Sequence, residues 1–141
     1  EFGFRAGTHA VHNIVGFGKA AEIALRDLKE NEAHIKSLDD MLIAGISAID
    51  GIHTTVDAAK RLPGIVSLVV DKSDFHNERF IKKISEEVAL STGSACSAGE
   101  PSYVIQALGL ANEVTKVLRV SINKYTTEDD INSFLSLLKT I

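Results

Sequence analysis

The chain has 141 residues, 45% of them hydrophobic and 24% charged, with a formal net charge of −4 and an isoelectric point near 5.7. That length suits one domain with a real core, and a mildly acidic balance gives no basic face for general nucleic-acid binding. No unbroken apolar run approaches the roughly 20 residues needed to span a bilayer, and the single cysteine, Cys96, excludes an internal disulfide framework and suits a reducing compartment such as the cytoplasm.

In chain order, Val11, Ile14, Val15, Ala21, Ala24, Leu25 and Leu28 make one apolar stripe and predict a long helix over residues 9–31. Gly16 and Gly18 would weaken that helix in isolation, which points to close packing against another element. A second helix is expected over residues 32–48, with Leu38, Met41, Leu42, Ile46 and Ile49 on or near its buried face and Gly51 ending it. After the turn signals of Leu62-Pro63-Gly64, the β-branched run over residues 65–70 reads as a strand. Ser73 and Asp74 are candidate caps for a helix that turns Phe80, Ile81, Ile84 and Val88 inward.

A strand-like run, Glu87-Val88-Ala89-Leu90, leads toward Cys96. Pro101 and Gly109 then bracket a predicted helix over residues 101–108, with proline at its first position and glycine just past its end. Residues 117–122 supply another strand, and Thr127 with Asp130 three residues later opens a last helix that buries Ile131, Phe134, Leu135 and Leu138. Helices and short strands are thus interleaved. Strands this short need helical cover, so the expected class is α+β, with helices packed on one side of a small, mostly antiparallel sheet. Without a repeat, low-complexity tract or long linker, residues 1–141 read as a single domain. The only methionine is Met41, and the chain reads as the C-terminal piece of a longer protein.

Chemistry concentrates around Cys96. From residue 91 to 99 every residue except Thr92 and Cys96 is small, so the thiol stands on a loop with little bulk to bury it, as a reaching nucleophile would be mounted. A small buried cysteine is the alternative. A loop so poor in side chains is expected to be mobile over residues 93–99. Other signals are weak. His9 and His12 lack a third spaced ligand for a metal, while His34, His53 and His76 are scattered, and any of them could meet Cys96. No phosphate-loop motif or zinc spacing is present, so no metal is assigned.

Ser91-Thr92-Gly93-Ser94-Ala95-Cys96-Ser97-Ala98-Gly99 resembles the persulfide-forming loop of cysteine desulfurases, whose pattern is Ser-x-Gly-x-Ala-Cys-x-x-Gly. Two further segments carry the same likeness. Arg5-Ala6-Gly7-Thr8 is similar to the family's Arg-Ser-Gly-Thr, with Ala6 in place of serine, and Leu118-Arg119-Val120-Ser121 followed by Thr126-Thr127-Glu128-Asp129-Asp130-Ile131 resembles its strand, loop and final helix. Asn123 and Lys124 stand where a glycine and an arginine would be expected.

The resemblance implies the C-terminal small domain of a fold-type-I enzyme that uses pyridoxal 5'-phosphate to convert L-cysteine to L-alanine. The helix over residues 9–31 would connect it to the large domain. Cys96 matches the sulfur-accepting thiol, and Arg119 the arginine that binds the substrate's α-carboxylate. Thr8 matches the threonine that reaches across a homodimer to the partner's cofactor phosphate. Physics is compatible with the last two assignments: a guanidinium grips a carboxylate with paired hydrogen bonds, and a helix N-terminus attracts phosphate. On pattern alone Thr8 could instead be an N-cap and Arg119 a solvent-facing strand residue. The lysine that anchors the cofactor, in the family's Ser-x-His-Lys segment, has no counterpart here, since no histidine is followed by lysine. The chain alone is therefore expected to be inactive. Sulfur would pass from Cys96 to an acceptor such as an iron-sulfur scaffold protein. The alternatives are a stand-alone sulfur-carrier or interaction domain, or an inert module of a related lyase or aminotransferase.

Overall fold

A computed structural model describes residues 2–4, 6–93 and 102–141, with Ala58 described by its backbone alone. The longest element is α1, a 37-residue helix over Val11–Ser47. It replaces the two helices expected over residues 9–31 and 32–48. The physical reason lies in the composition across the expected break: no glycine or proline occurs between Gly18 and Gly45, and Lys36 pairs with Asp40 one turn on, at 2.7 Å.

The chain divides into two units, Glu1–Ala33 and His34–Ile141, and the division falls inside α1. In the first unit α1 keeps its apolar residues at the surface: Val11, Ile14, Val15, Phe17, Leu25 and Leu28 are all exposed. Gly16 and Gly18 have open space where a side chain would be. The close packing expected at these two glycines is absent among the described residues.

In the second unit the buried residues of α1 are Leu38, Asp39, Leu42 and Ile46, an i, i+4 stripe on one face. Three strands follow in the order β1 (Ile52–Thr54), β2 (Ile65–Val70) and β3 (Val117–Ser121), each antiparallel to its neighbour. Alternation along the strands separates two faces. Ile52, Val66, Leu68, Val70, Leu118 and Val120 turn into the main core. There they meet Leu38, Leu42 and Ile46 of α1, Phe80 and Ile84 of α2 (Asn77–Ile84), and Ile131, Phe134, Leu135 and Leu138 of α4 (Glu128–Leu138). Val69 and Val117 point the other way, into a small cluster closed by Ile105 of α3 (Tyr103–Ala107).

The α+β class, the antiparallel sheet and the helical layer formed by α1, α2 and α4 are as the sequence leads one to expect. The short α3 lies on the opposite face. Two further expectations need correction, and one element was not expected. The run over residues 87–90 forms no strand; Ser91 alone makes a bridge, to Arg119. Glu86 and Glu87 continue the turn after α2, and a lone bridge is all that the short segment before Gly93 supplies. Neither Ser73 nor Asp74 caps α2, because the helix starts only at Asn77. At its start the Asn77 side-chain oxygen accepts from the Glu78 N–H at 2.8 Å, while the amide nitrogen donates to the Val114 and Val117 carbonyls at 2.9 Å each. Strand β1 has no counterpart in the sequence reading, since three residues are too few to show a period.

Candidate functional site

Arg119 sits in the middle of β3, opposite Ser67 of β2. On its other side Ser91 exchanges two backbone hydrogen bonds with it, Arg119 N–H to Ser91 O at 2.7 Å and Ser91 N–H to Arg119 O at 3.3 Å. Period-two alternation puts the Arg119 side chain on the same face as Val69 and Val117, away from the main core. It is half-buried there. Among the described residues its guanidinium has neither an ion pair nor a hydrogen bond.

A second arginine, with its side chain buried, stands in contrast. Arg61 is bound in a fork to Asp39, at 2.7 and 2.6 Å, and the Gly64 N–H donates to the same carboxylate at 2.8 Å. Both side chains are buried. Burial alone would push the Asp39 carboxyl up, but the Arg61 hydrogen bonds, the Gly64 N–H and the guanidinium charge together hold it below its ordinary value near 3.8. Arg61 is thus spoken for as a structural tie between α1 and the turn before β2. Arg119 remains open to a ligand. The structural role of Arg61 had no signal in the sequence, since the Asp39–Arg61 contact joins residues 22 apart that carry no pattern.

Cys96 lies outside the described residues, as do residues 94–99 of the loop expected to be mobile. The described ends of that loop are informative nonetheless. Ser91 enters it from the bridge with Arg119, and Ser102 leaves it as the N-cap of α3, whose Ile105 packs on Val69 and Val117. One end therefore joins the sheet edge beside Arg119, and the other lies on the Arg119 face. Gly109, at φ +78, closes α3 two residues past Ala107, as the sequence indicated; Pro101 is not among the described residues.

Thr8 belongs to the first unit and is exposed, three residues ahead of Val11. It is not at the cap position of α1, which falls to Ala10, whose carbonyl accepts the first helical bond from Ile14 at 3.1 Å. The first turn of α1 carries no acidic residue that would repel an anion. Of the histidines that could have met Cys96, His34 bonds through Nε2 to the Thr126 carbonyl at 2.9 Å. His76 precedes α2 with Nδ1 buried and unpaired among the described residues, and His53 is exposed on β1. Among the described residues no group of three or more potential ligands could hold a metal, and no helix is long and apolar enough to cross a membrane.

Comparison with known proteins decides the family. The aminotransferase class-V profile matches residues 1–134. The chain belongs to the aminotransferase class-V family. It is 37% identical over 142 residues to the cysteine desulfurase IscS of Colwellia psychrerythraea, covering 99% of this chain and 34% of that protein. It is 41% identical over 135 residues to the IscS of Shewanella loihica, covering 94% and 33%. A solved structure of a NifS-like protein from Rickettsia africae superposes with a TM-score of 0.81 at 22% identity, over 96% of this chain and 36% of that one, and shows the same fold. The chain thus spans about a third of the length of these relatives.

Proposed function

We propose that these residues form the C-terminal part of a cysteine desulfurase, which converts L-cysteine to L-alanine and holds the removed sulfur on Cys96 as a persulfide. One observation carries the reading: a half-buried guanidinium at Arg119, unpaired among the described residues, stands beside the sheet edge that one described end of the Cys96 loop joins and on the face where the other end packs. The fork of Arg119 takes the α-carboxylate of cysteine with two parallel hydrogen bonds. The Cys96 thiolate attacks the substrate's sulfur; a sulfur–sulfur bond forms, the substrate's carbon–sulfur bond breaks, and its electron pair ends on the carbon that is protonated to the methyl group of alanine.

Pyridoxal 5'-phosphate, in the complete protein, supplies the electron sink for this cleavage. The residues here fit one contact to it and not the whole cofactor. Thr8, ahead of a helix start with no acid in its first turn, suits the phosphate, whereas no lysine stands in the sequence context that anchors the ring. In this reading residues 1–141 are one domain by descent, Thr8 serves the partner's cofactor in a homodimer, and the enzyme works in the cytoplasm, passing sulfur to an acceptor such as an iron-sulfur scaffold protein. A pure sulfur carrier would leave Arg119 without a task.

The test is made on the complete protein. Cysteine-dependent alanine formation and a mass increase of one sulfur at Cys96 are expected, with Cys96→Ala abolishing the persulfide. A fully active Cys96→Ala variant, transferring sulfur at the original rate, would overturn the assignment.

A further inference from the structure

Ser67 and Ser91 stand directly opposite Arg119, one on each side of it. Residues directly opposite in antiparallel strands project to the same face, so Ser67, Arg119 and Ser91 form a row across the sheet. The two pairs differ in kind. Ser91 exchanges both backbone bonds with Arg119, so the arginine's N–H and C=O are turned toward that side. The Ser67 carbonyl accepts from the Thr55 N–H on its far side at 2.9 Å. Arg119 and Ser67 are therefore a non-hydrogen-bonded pair, the kind in which side chains approach closest, with Cβ atoms about 4.5–5.5 Å apart.

All three residues are half-buried. Among the described residues, neither hydroxyl has a hydrogen-bond partner, and the guanidinium has none. Local preference does not account for the serine in β2: it interrupts Ile65-Val66 and Leu68-Val69-Val70, where a valine or threonine would suit the strand better. A residue that departs from what its element prefers, beside a functional side chain, points to function.

We propose that Ser67 and Ser91 are carboxylate-binding residues that act with Arg119 on the amino-acid substrate. The inference rests on Arg119 being the carboxylate arginine. Its fork occupies one lone pair on each carboxylate oxygen and leaves a second on each. A hydroxyl on either side of the arginine donates to those remaining lone pairs. The short side chains also leave space above the sheet for the ligand.

In the complete protein, binding of L-alanine, which carries the same carboxylate without reactive sulfur, is measured by calorimetry. Ser67→Ala and Ser91→Ala are each expected to weaken it roughly tenfold. KM for cysteine should rise in proportion, with kcat within about twofold, the mark of lost uniform binding. Ser67→Thr retains the hydroxyl and should restore affinity, whereas Ser67→Val, which favours the strand and lacks the hydroxyl, should not. In an Arg119→Ala background the serine changes should add nothing further, whereas purely structural effects would add in full. If Arg119→Ala weakens alanine binding but neither serine change does, this inference falls and the carboxylate arginine stands. If Arg119→Ala itself leaves alanine binding unchanged, the carboxylate site and this inference fall together.

Discussion

Arg119 and Arg61 have opposite fates, and the difference predicts opposite phenotypes. Arg119 has no partner among the described residues, so Arg119→Lys should leave the thermal midpoint nearly unchanged. It should weaken cysteine binding by about 1.5–3 kcal/mol through loss of one of two paired hydrogen bonds, read as a raised KM in the complete protein. Arg61 is tied to Asp39 in a buried fork, so Asp39→Asn should cost about 3–5 kcal/mol of stability by leaving a buried guanidinium uncompensated. The pH dependence has a defined sign. Because the folded carboxyl of Asp39 is held below its ordinary value near 3.8, its stabilisation is complete above that value and is lost as pH falls through the lower folded one. Thermal melts from pH 6 to pH 2 should therefore show a steeper acid loss in the unaltered chain than in Asp39→Asn; parallel curves would refute this account.

At the scale of elements, the turn before β2 depends on one glycine. Gly64 has φ +87, and a Cβ there would lie 2.7 Å from Ile35 Cγ2 and 3.2 Å from the Ile122 carbonyl oxygen. Its N–H also donates to Asp39. Gly64→Ala combines a left-handed backbone with a steric conflict and should destabilise by about 1–3 kcal/mol, measured as a shift of the urea midpoint without a change of slope. The last helix is held differently. Thr127 and Asp130 form a reciprocal capping box, with the Thr127 N–H donating to the Asp130 carboxylate at 2.8 Å and the Asp130 N–H to the Thr127 hydroxyl at 3.2 Å. Just ahead of it, Asn123 accepts from the Tyr125 N–H at 2.8 Å and donates its own N–H to Thr126 Oγ1 at 3.1 Å. The two residues that depart from the family pattern, Asn123 and Lys124, thus sit in a turn closed by its own side chains, and Arg119 keeps its place in β3.

At the scale of the whole molecule, α1 has two very different halves. All of its buried residues lie between Leu38 and Ile46, and no described residue of the first unit is buried. A helix without a packed face is marginal in water. Amide exchange of this chain alone should therefore be fast over residues 11–33 and slow at Leu38, Leu42 and Ile46; uniform protection along α1 would contradict this. The same chain, mixed with pyridoxal 5'-phosphate and cysteine, should form no alanine, because it has no lysine in the anchoring context. Cysteine-dependent alanine production would refute the assignment of these residues to one part of a larger site.

The sequence by itself carried much that rests on local chemistry. The capping box at Thr127, the β-branched run of β2, the stripe of Leu38, Leu42 and Ile46, and Gly109 after α3 are signals in which neighbours along the chain determine the outcome. The strand around Arg119 was legible for the same reason, as a short run of strand-forming residues. Where signals were weak or competing, local reading failed. The two helices expected on either side of Asn31 are one, because with no glycine or proline there the backbone continues as a single helix. The three-residue β1 exists because β2 offers it hydrogen bonds, not because Ile52-His53-Thr54 has a pattern. Only the tertiary structure could pair Arg61 with Asp39, since pairing depends on which carboxylate folding brings near, and only strand register could set Ser67 and Ser91 on either side of Arg119 from 52 and 28 residues away in the chain.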